Sequence, residues 1–178
     1  MVQVKPVIMC KQLHWQNSLW LLLSIGLIVL DQASKAWISQ HMVNGQSWSL
    51  MPFVNFTLAH NHGAAFSFLS QDSGWQRWFL ISLALIVNMV LLAYLLKLEV
   101  QKKWCALSLA LIIGGALGNV IDRLFNGYVV DFIDVYAGRW HWPVFNIADS
   151  AIVVGVFLLI LSSNILQVRQ YDSNSDKR

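Results

Sequence analysis

Trp20-Leu21-Leu22-Leu23-Ser24-Ile25-Gly26-Leu27-Ile28-Val29-Leu30 runs straight into Asp31-Gln32-Ala33-Ser34-Lys35. A helix apolar all the way round cannot be a surface helix of a soluble domain, because it has no face to give to water. Crossing hydrocarbon takes about 20 such residues, and Leu19 to Ile38 supplies that length. Asp31 and Lys35 interrupt the run four residues apart, so they share one helix face near its expected outer end. Ionisable groups inside a span are costly and usually mark function, but for these two a structural ion pair that pins the helix ends together outweighs direct catalysis, with support of substrate between the two. The basic residues Lys5 and Lys11 precede the run, but no small-residue cleavage site follows it. The segment is therefore expected to remain in the protein as its first span.

Three more runs read the same way: Trp78 to Leu96, Trp104 to Ile121, and Ser150 to about Val168, all free of charged residues. Of 178 residues, 57% are hydrophobic and 12% charged, whereas a soluble domain carries roughly 25% charged residues. The mean hydropathy of +0.55 agrees. The fold class expected is an all-α integral membrane protein of four transmembrane helices. Residues 1–170 form a single domain, and residues 171–178 a polar, disordered tail.

Lysine and arginine set the orientation. The N-terminal tail, the loop with Lys97, Lys102 and Lys103, and the tail with Arg169, Lys177 and Arg178 hold eight basic residues. The loops 39–77 and 122–149 hold three: Arg77, Arg123 and Arg139. Both termini are thus expected in the cytoplasm and both long loops outside. Trp48, Trp75, Trp78, Trp140 and Trp142 lie in or beside those loops, which places them at the outer membrane interface. Residues 46–60 mix Trp48, Phe53, Val54, Phe56, Thr57 and Leu58 with polar residues, a pattern of short strands. The first loop should form a small outward-facing β-rich cradle. Tyr128-Val129-Val130 and Phe132-Ile133 read as extended or as lying along the interface. No basic cluster is interleaved with aromatics, which argues against nucleic acid. Cys10 and Cys105 both fall on the cytoplasmic side, where disulfides are rare.

The outer loops hold the chemistry. Asn61-His62-Gly63-Ala64-Ala65 combines an amide with small residues that admit close backbone approach. His60 and His62 form an H-x-H, too little to make a metal site. Gly114-Gly115-Ala116-Leu117-Gly118 reads as a helix-packing surface. Asn119, Asp122 and Arg123 follow on one helix face, and Arg123 is suited to holding a carboxylate in bidentate fashion. Asp122 reads mainly as part of a structural network, with catalysis the alternative. Asp131 lies in the apolar run Val129 to Phe132. Asp149, in Phe145-Asn146-Ile147-Ala148-Asp149, taken alone reads as an N-cap. Taken together, Asp131 and Asp149 are two carboxylates at one membrane boundary among apolar neighbours. If close, they share a proton, one acting as general base on water and the other as general acid. Their closeness in space is not readable from spacing.

These boxes resemble, in order, those of the bacterial lipoprotein signal peptidases (signal peptidase II). The boxes are Asp31-Gln32-Ala33-Ser34-Lys35, Asn61-His62-Gly63-Ala64-Ala65, Gly118-Asn119-Val120-Ile121-Asp122-Arg123, Val130-Asp131-Phe132 and Phe145-Asn146-Ile147-Ala148-Asp149, and the resemblance covers about residues 19–168. The resemblance implies an aspartic endopeptidase of the bacterial cytoplasmic (inner) membrane, acting at its outer, periplasmic face. It would remove signal peptides from diacylglyceryl-modified prolipoproteins, cutting just before the lipidated cysteine, with no cofactor. Asp131 and Asp149 match the catalytic pair. Asp31, Lys35, Asn61, Gly63, Asn119, Asp122, Arg123, Asn146 and Ala148 match the residues that support the site or bind substrate. Membrane lipid is the other implied partner, and a monomer suffices. One departure stands out: His62 occupies a position where the family commonly has Thr. The competing classes are a small carboxylate-lined transporter and a non-catalytic factor that binds lipidated proteins. A transporter is disfavoured because the acids gather at one face and no repeat is visible. A binding factor would not need both Asp131 and Asp149.

Overall fold

A computed structural model describes residues 15–63 and 74–175, with the side chains of the last helix described as far as residue 162. Cys10, Ala64 and Ala65, singled out above, lie outside the described residues. A short 3-10 helix Trp15–Leu19 leads into α1 (Trp20–His41). Strands β1 (Ser47–Met51) and β2 (Val54–Asn61) follow, then α2 (Trp75–Leu96) and α3 (Lys103–Phe125). The chain continues through β3 (Val129–Ala137) and β4 (Trp140–His141) to α4 (Ile147–Ser175). Helical backbone in α4 reaches Ser175, inside the polar stretch 171–178.

Among the described residues three helical segments, Trp15–His41, Trp75–Leu96 and Lys103–Phe125, are long and apolar enough to cross a membrane. The apolar part of α4, Ile147–Ser162, is shorter among the described residues. Burial is inverted relative to a soluble protein. Leu22, Val29, Ile86, Val90, Val153 and Phe157 are exposed, while Asp31, Lys35, Asn88, Asn119 and Asp122 are buried. That arrangement suits a lipid solvent, which accepts apolar side chains and rejects charged ones.

The helix boundaries differ from the sequence expectation in ways that matter for the site. α1 continues to His41, so Asp31 and Lys35 sit inside the helix rather than at its end. α3 extends past Ile121 and carries Asp122 and Arg123 in its last turns. α4 starts at Ile147 and carries Asp149 in its first turn. The hydropathy pattern ends where charge begins, but the helical hydrogen bonds do not.

α3 is the central helix, packed against α1, α2 and α4. Its glycines make this possible. A Cβ at Gly114 would stand 2.9 Å from the Ser24 carbonyl oxygen of α1, and one at Gly115 would collide with the Ala148 carbonyl oxygen of α4. The packing expected of this stretch is what the structure shows. Polar side chains cover exposed helix ends. The Asn17 amide donates to the carbonyls of Leu95 and Leu98 at 3.0 and 2.6 Å. The Arg77 guanidinium donates to the Leu124 carbonyl at 2.7 Å. Both reach carbonyls at or just beyond a helix C-terminus.

The strands form one antiparallel sheet in the order β1-β2-β3-β4. The expected cradle is thus only half a product of the first loop, since β3 and β4 come from the second. β3 was ambiguous because it is buried on both faces over Val129–Phe132 and so lacks the alternation that marks a half-buried strand. One face of the sheet packs on the end of α1, where Ile38 and Met42 meet Leu58, Val130 and Phe132. The other face carries Asn61 and Asp131.

Candidate active site

Two helices, α1 and α3, converge on the Lys35 ammonium. It lies 2.8 Å from Asp31 Oδ2, 2.9 Å from Asp122 Oδ2 and 3.0 Å from Asn119 Oδ1. Each of its three protons has an acceptor, as a buried ammonium requires. Both aspartates also reach beyond it. Asp31 Oδ1 accepts the Ala148 N–H at 3.0 Å, so α1 caps the start of α4. Asp122 Oδ2 accepts the Val130 N–H at 3.0 Å, one residue from Asp131. The ion pair expected from the four-residue spacing is present, enlarged into a junction of α1, α3, α4 and β3.

Gln32 belongs to this junction, although its type and position alone did not single it out. Its amide donates to Asp122 Oδ1 at 2.9 Å and to the Gly118 carbonyl at 3.1 Å. Arg123 corrects an expectation. Its described hydrogen bonds go to carbonyls, Gly63 at 3.0 Å and Asn119 at 3.4 Å, rather than to a carboxylate. The guanidinium thus holds the chain just after β2.

Asp149 is not the cap of α4. The cap is Asn146, whose Oδ1 accepts the Asp149 N–H at 2.9 Å while Asp149 Oδ2 accepts the Asn146 N–H at 3.2 Å. This is a reciprocal capping box with Asp149 three residues into it. It fixes the Asp149 side chain from one side, and the Asn119 amide fixes it from the other at 2.7 Å to Oδ1.

The same Asn146 reaches the second carboxylate. Its Nδ2 donates to Asp131 Oδ1 at 2.7 Å and to Asn119 Oδ1 at 3.1 Å. Asp131 Oδ2 accepts the Asn61 amide at 3.0 Å. Asn61 is held in turn by its Oδ1, which accepts the Gly63 N–H at 3.0 Å. Asp131 and Asp149 are therefore bridged by one asparagine and positioned by two more, Asn61 and Asn119.

Burial pushes the Asp131 carboxyl up from its ordinary 3.8 to about 7, and the neighbouring charge of Asp149 adds to the rise. The Asn61 and Asn146 amides and Lys35 work in the opposite direction. A carboxyl so placed carries a proton near neutral pH that it can give or share, while its neighbour can take one. Among the described residues no group of three or more His, Cys, Asp or Glu side chains is arranged to hold a metal. His60 and His62 instead lie against the Tyr128 ring.

Residues 23–165 match the family described as Signal peptidase (SPase) II. The chain belongs to the signal peptidase II family. All five boxes lie within the matched span. Among similar proteins, the lipoprotein signal peptidase of Serratia proteamaculans is 51% identical over 142 residues, covering 80% of this chain and 84% of that protein. The lipoprotein signal peptidase of Acinetobacter baumannii is 48% identical over 165 residues, covering 93% of each. A solved structure of a bacterial membrane enzyme, determined by the in meso method, superimposes with a TM-score of 0.73 at 32% identity. It covers 90% of this chain and 92% of its own. A second solved bacterial membrane enzyme gives 0.72 at 34% identity, covering 82% and 92%. This signal peptidase II is accordingly a membrane peptidase. The buried groups Asp31, Lys35, Asp122, Asp131 and Asn146 form one connected network through Asn119.

A second polar cluster, unforeseen in the sequence, crosses the sheet away from this site. Buried Asp134 accepts Thr57 Oγ1 at 3.2 Å and the Asn55 amide at 3.3 Å, and meets His141 Nδ1 at 2.8 Å. The only signal was a second acid three residues after Asp131. The cluster joins β2, β3 and β4 and so stiffens the strand that presents Asp131.

Proposed function

We propose that this signal peptidase II removes signal peptides from diacylglyceryl-modified prolipoproteins, cutting just before the lipidated cysteine, with Asp131 and Asp149 as its catalytic pair. The observation that carries the assignment is the bridge through Asn146, which holds both carboxylates at one spot. The pair shares one proton. The ionised carboxylate takes a proton from water, whose oxygen bonds to the scissile carbonyl carbon. The protonated carboxyl donates to the carbonyl oxygen. Collapse of that intermediate breaks the C–N bond, and the proton passes to the departing amine of the cysteine.

Asp31, Lys35, Asn119, Asp122 and Ala148 hold the junction from which α4 presents Asp149. Asn61, Gly63 and Arg123 hold the chain beside Asp131, and Asn146 serves both acids. In this reading α4 is the fourth span and residues 1–170 are one membrane-embedded domain. Both termini lie in the cytoplasm of the bacterial inner membrane, and the acid pair faces the periplasm. The polar set comes from a single chain, so a monomer is the working unit. Lipid is the medium from which the substrate arrives, through the exposed apolar faces of the helices.

The test of the substrate is mass spectrometry of products from the purified full chain. A product beginning at the lipidated cysteine is expected, with the unlipidated precursor left intact. Equal cleavage of both precursors would refute the substrate assignment.

A further inference from the structure

Asn61 is the last residue of β2 and stands opposite Val129 in the register, with His60 opposite Val130. Extending the register puts His62 opposite Tyr128. Side chains alternate faces along a strand, so Asn61 points toward Asp131 while His60, His62 and Tyr128 share the other face. There the His60 ring stacks on Tyr128 with centroids 4.0 Å apart and planes 21° apart. The His62 ring approaches the same phenol at 5.4 Å and 55°. Tyr128 in turn packs on the buried cluster of Ile38, Met42, Leu58, Val130 and Phe132. It follows Gly127, whose φ of 85° turns the chain out of α3.

We propose that Tyr128, flanked by His60 and His62, is a positioning residue for the peptidase reaction: it clamps the end of β2 so that the Asn61 amide stays on Asp131. The last pairs of a strand fray most readily, and cross-strand aromatic pairs lock such an end to the neighbouring strand. Burial and the neighbouring His62 lower the His60 pKa, keeping its ring neutral for face-to-face stacking. The clamp also gives a role to His62, at the position where this chain departs from the second box. Losing it releases Asn61 without touching Asp131, Asp149 or the Lys35 junction.

The inference rests on the catalytic assignment of Asp131, and its test separates the two. The purified full chain cleaves a diacylglyceryl-modified prolipoprotein across a pH series as wild type, Tyr128→Phe and Tyr128→Leu. Tyr128→Phe keeps the ring and should stay within about twofold of wild type. Tyr128→Leu keeps an apolar side chain but no ring, and kcat should fall about tenfold with KM unchanged. The Asn61 amide favours ionised Asp131, so the limb of the pH profile belonging to Asp131 should move to higher pH in Tyr128→Leu. The charges that act on Asp131, Lys35 on α1 and Asp149 on α4, with Arg123 on α3, are unchanged in these variants. In an Asn61→Ala background Tyr128→Leu should have no further effect, because the group it positions is gone. An unmoved limb in Tyr128→Leu, or losses that simply multiply in the double variant, would overturn the clamp while leaving the aspartate pair standing. If Tyr128→Leu does not fold, His60→Leu carries the same test from the other ring. Failure of wild type to cleave would instead refute the proposed function itself.

Discussion

Asp131 is 2% exposed, and ionising it there works against the fold. Below about pH 4 its carboxyl is neutral in folded and unfolded chains alike. Between the ordinary 3.8 and about 7 the folded chain keeps a proton that the unfolded chain has lost. Stability therefore falls as pH rises through that window and levels off above about 7. The thermal midpoint in detergent is expected to drop by about 5 °C from pH 5 to pH 8. Asp131→Asn should flatten that dependence, and equal slopes in both proteins would contradict the burial argument. Asp122 behaves differently because it supports the junction with Lys35, Gln32 and the Val130 N–H. Asp122→Asn should cost roughly 3 kcal/mol of stability, the scale for breaking a buried ion pair. Thermal melts at matched concentration should show that loss, with activity declining as the folded fraction does. The sequence pointed to Asp131, Asp149 and their neighbours through boxes of polar residues in apolar surroundings. It could not show that Asn146 bridges the two acids, because one amide touching strand and helix is a fact of three dimensions. Nor could it show Arg123 on the Gly63 carbonyl, since guanidinium chemistry suits a carboxylate as well as a backbone oxygen.

At the scale of elements, the helices were legible because twenty-residue apolar runs have few other meanings, and their ends were not. Asp122, Arg123 and Asp149 lie in helical turns just beyond the apolar runs, so their place at helix ends was legible from spacing and capping chemistry but not from hydropathy. β3 was obscured by burial on both faces, and its pairing with β2 joins segments far apart in the chain. The glycines of α3 are packing residues, as their small size implies, and Gly118 is the one that borders the site. A Cβ at Gly118 would stand 2.7 Å from Asp31 Oδ2 and 3.4 Å from Ala148 Cβ. Gly118→Ala should therefore displace Asp31 from Lys35 and from the start of α4, costing about 1–3 kcal/mol by overpacking. Gly26→Ala, with nothing within 4 Å of its Cβ, should be neutral or stabilising in the same melting experiment. The capping box supplies a second contrast. Asn146→Ala should cost about 1 kcal/mol as a lost cap, yet reduce cleavage far more than that instability explains, because the bridge between the acids goes with it.

For the whole molecule, the charge bias between loops and the site at one end of the bundle make a single topological statement. A cysteine introduced at Gly138 should react with a membrane-impermeant maleimide in intact cells, and one at Lys102 only after permeabilisation. The reverse pattern would place the acid pair on the cytoplasmic side. The inverted burial, the glycine-lined α3 and the Lys35 junction all serve to hold two carboxylates together at one end of the bundle. The decisive measurement is cleavage of a diacylglyceryl-modified prolipoprotein by purified protein in EDTA, comparing wild type with Asp131→Asn and Asp149→Asn at equal folded concentration. The proposed pair predicts that wild type cuts and that each variant loses at least about 10³-fold in rate. Full activity in either variant would contradict it and turn attention to Asp122.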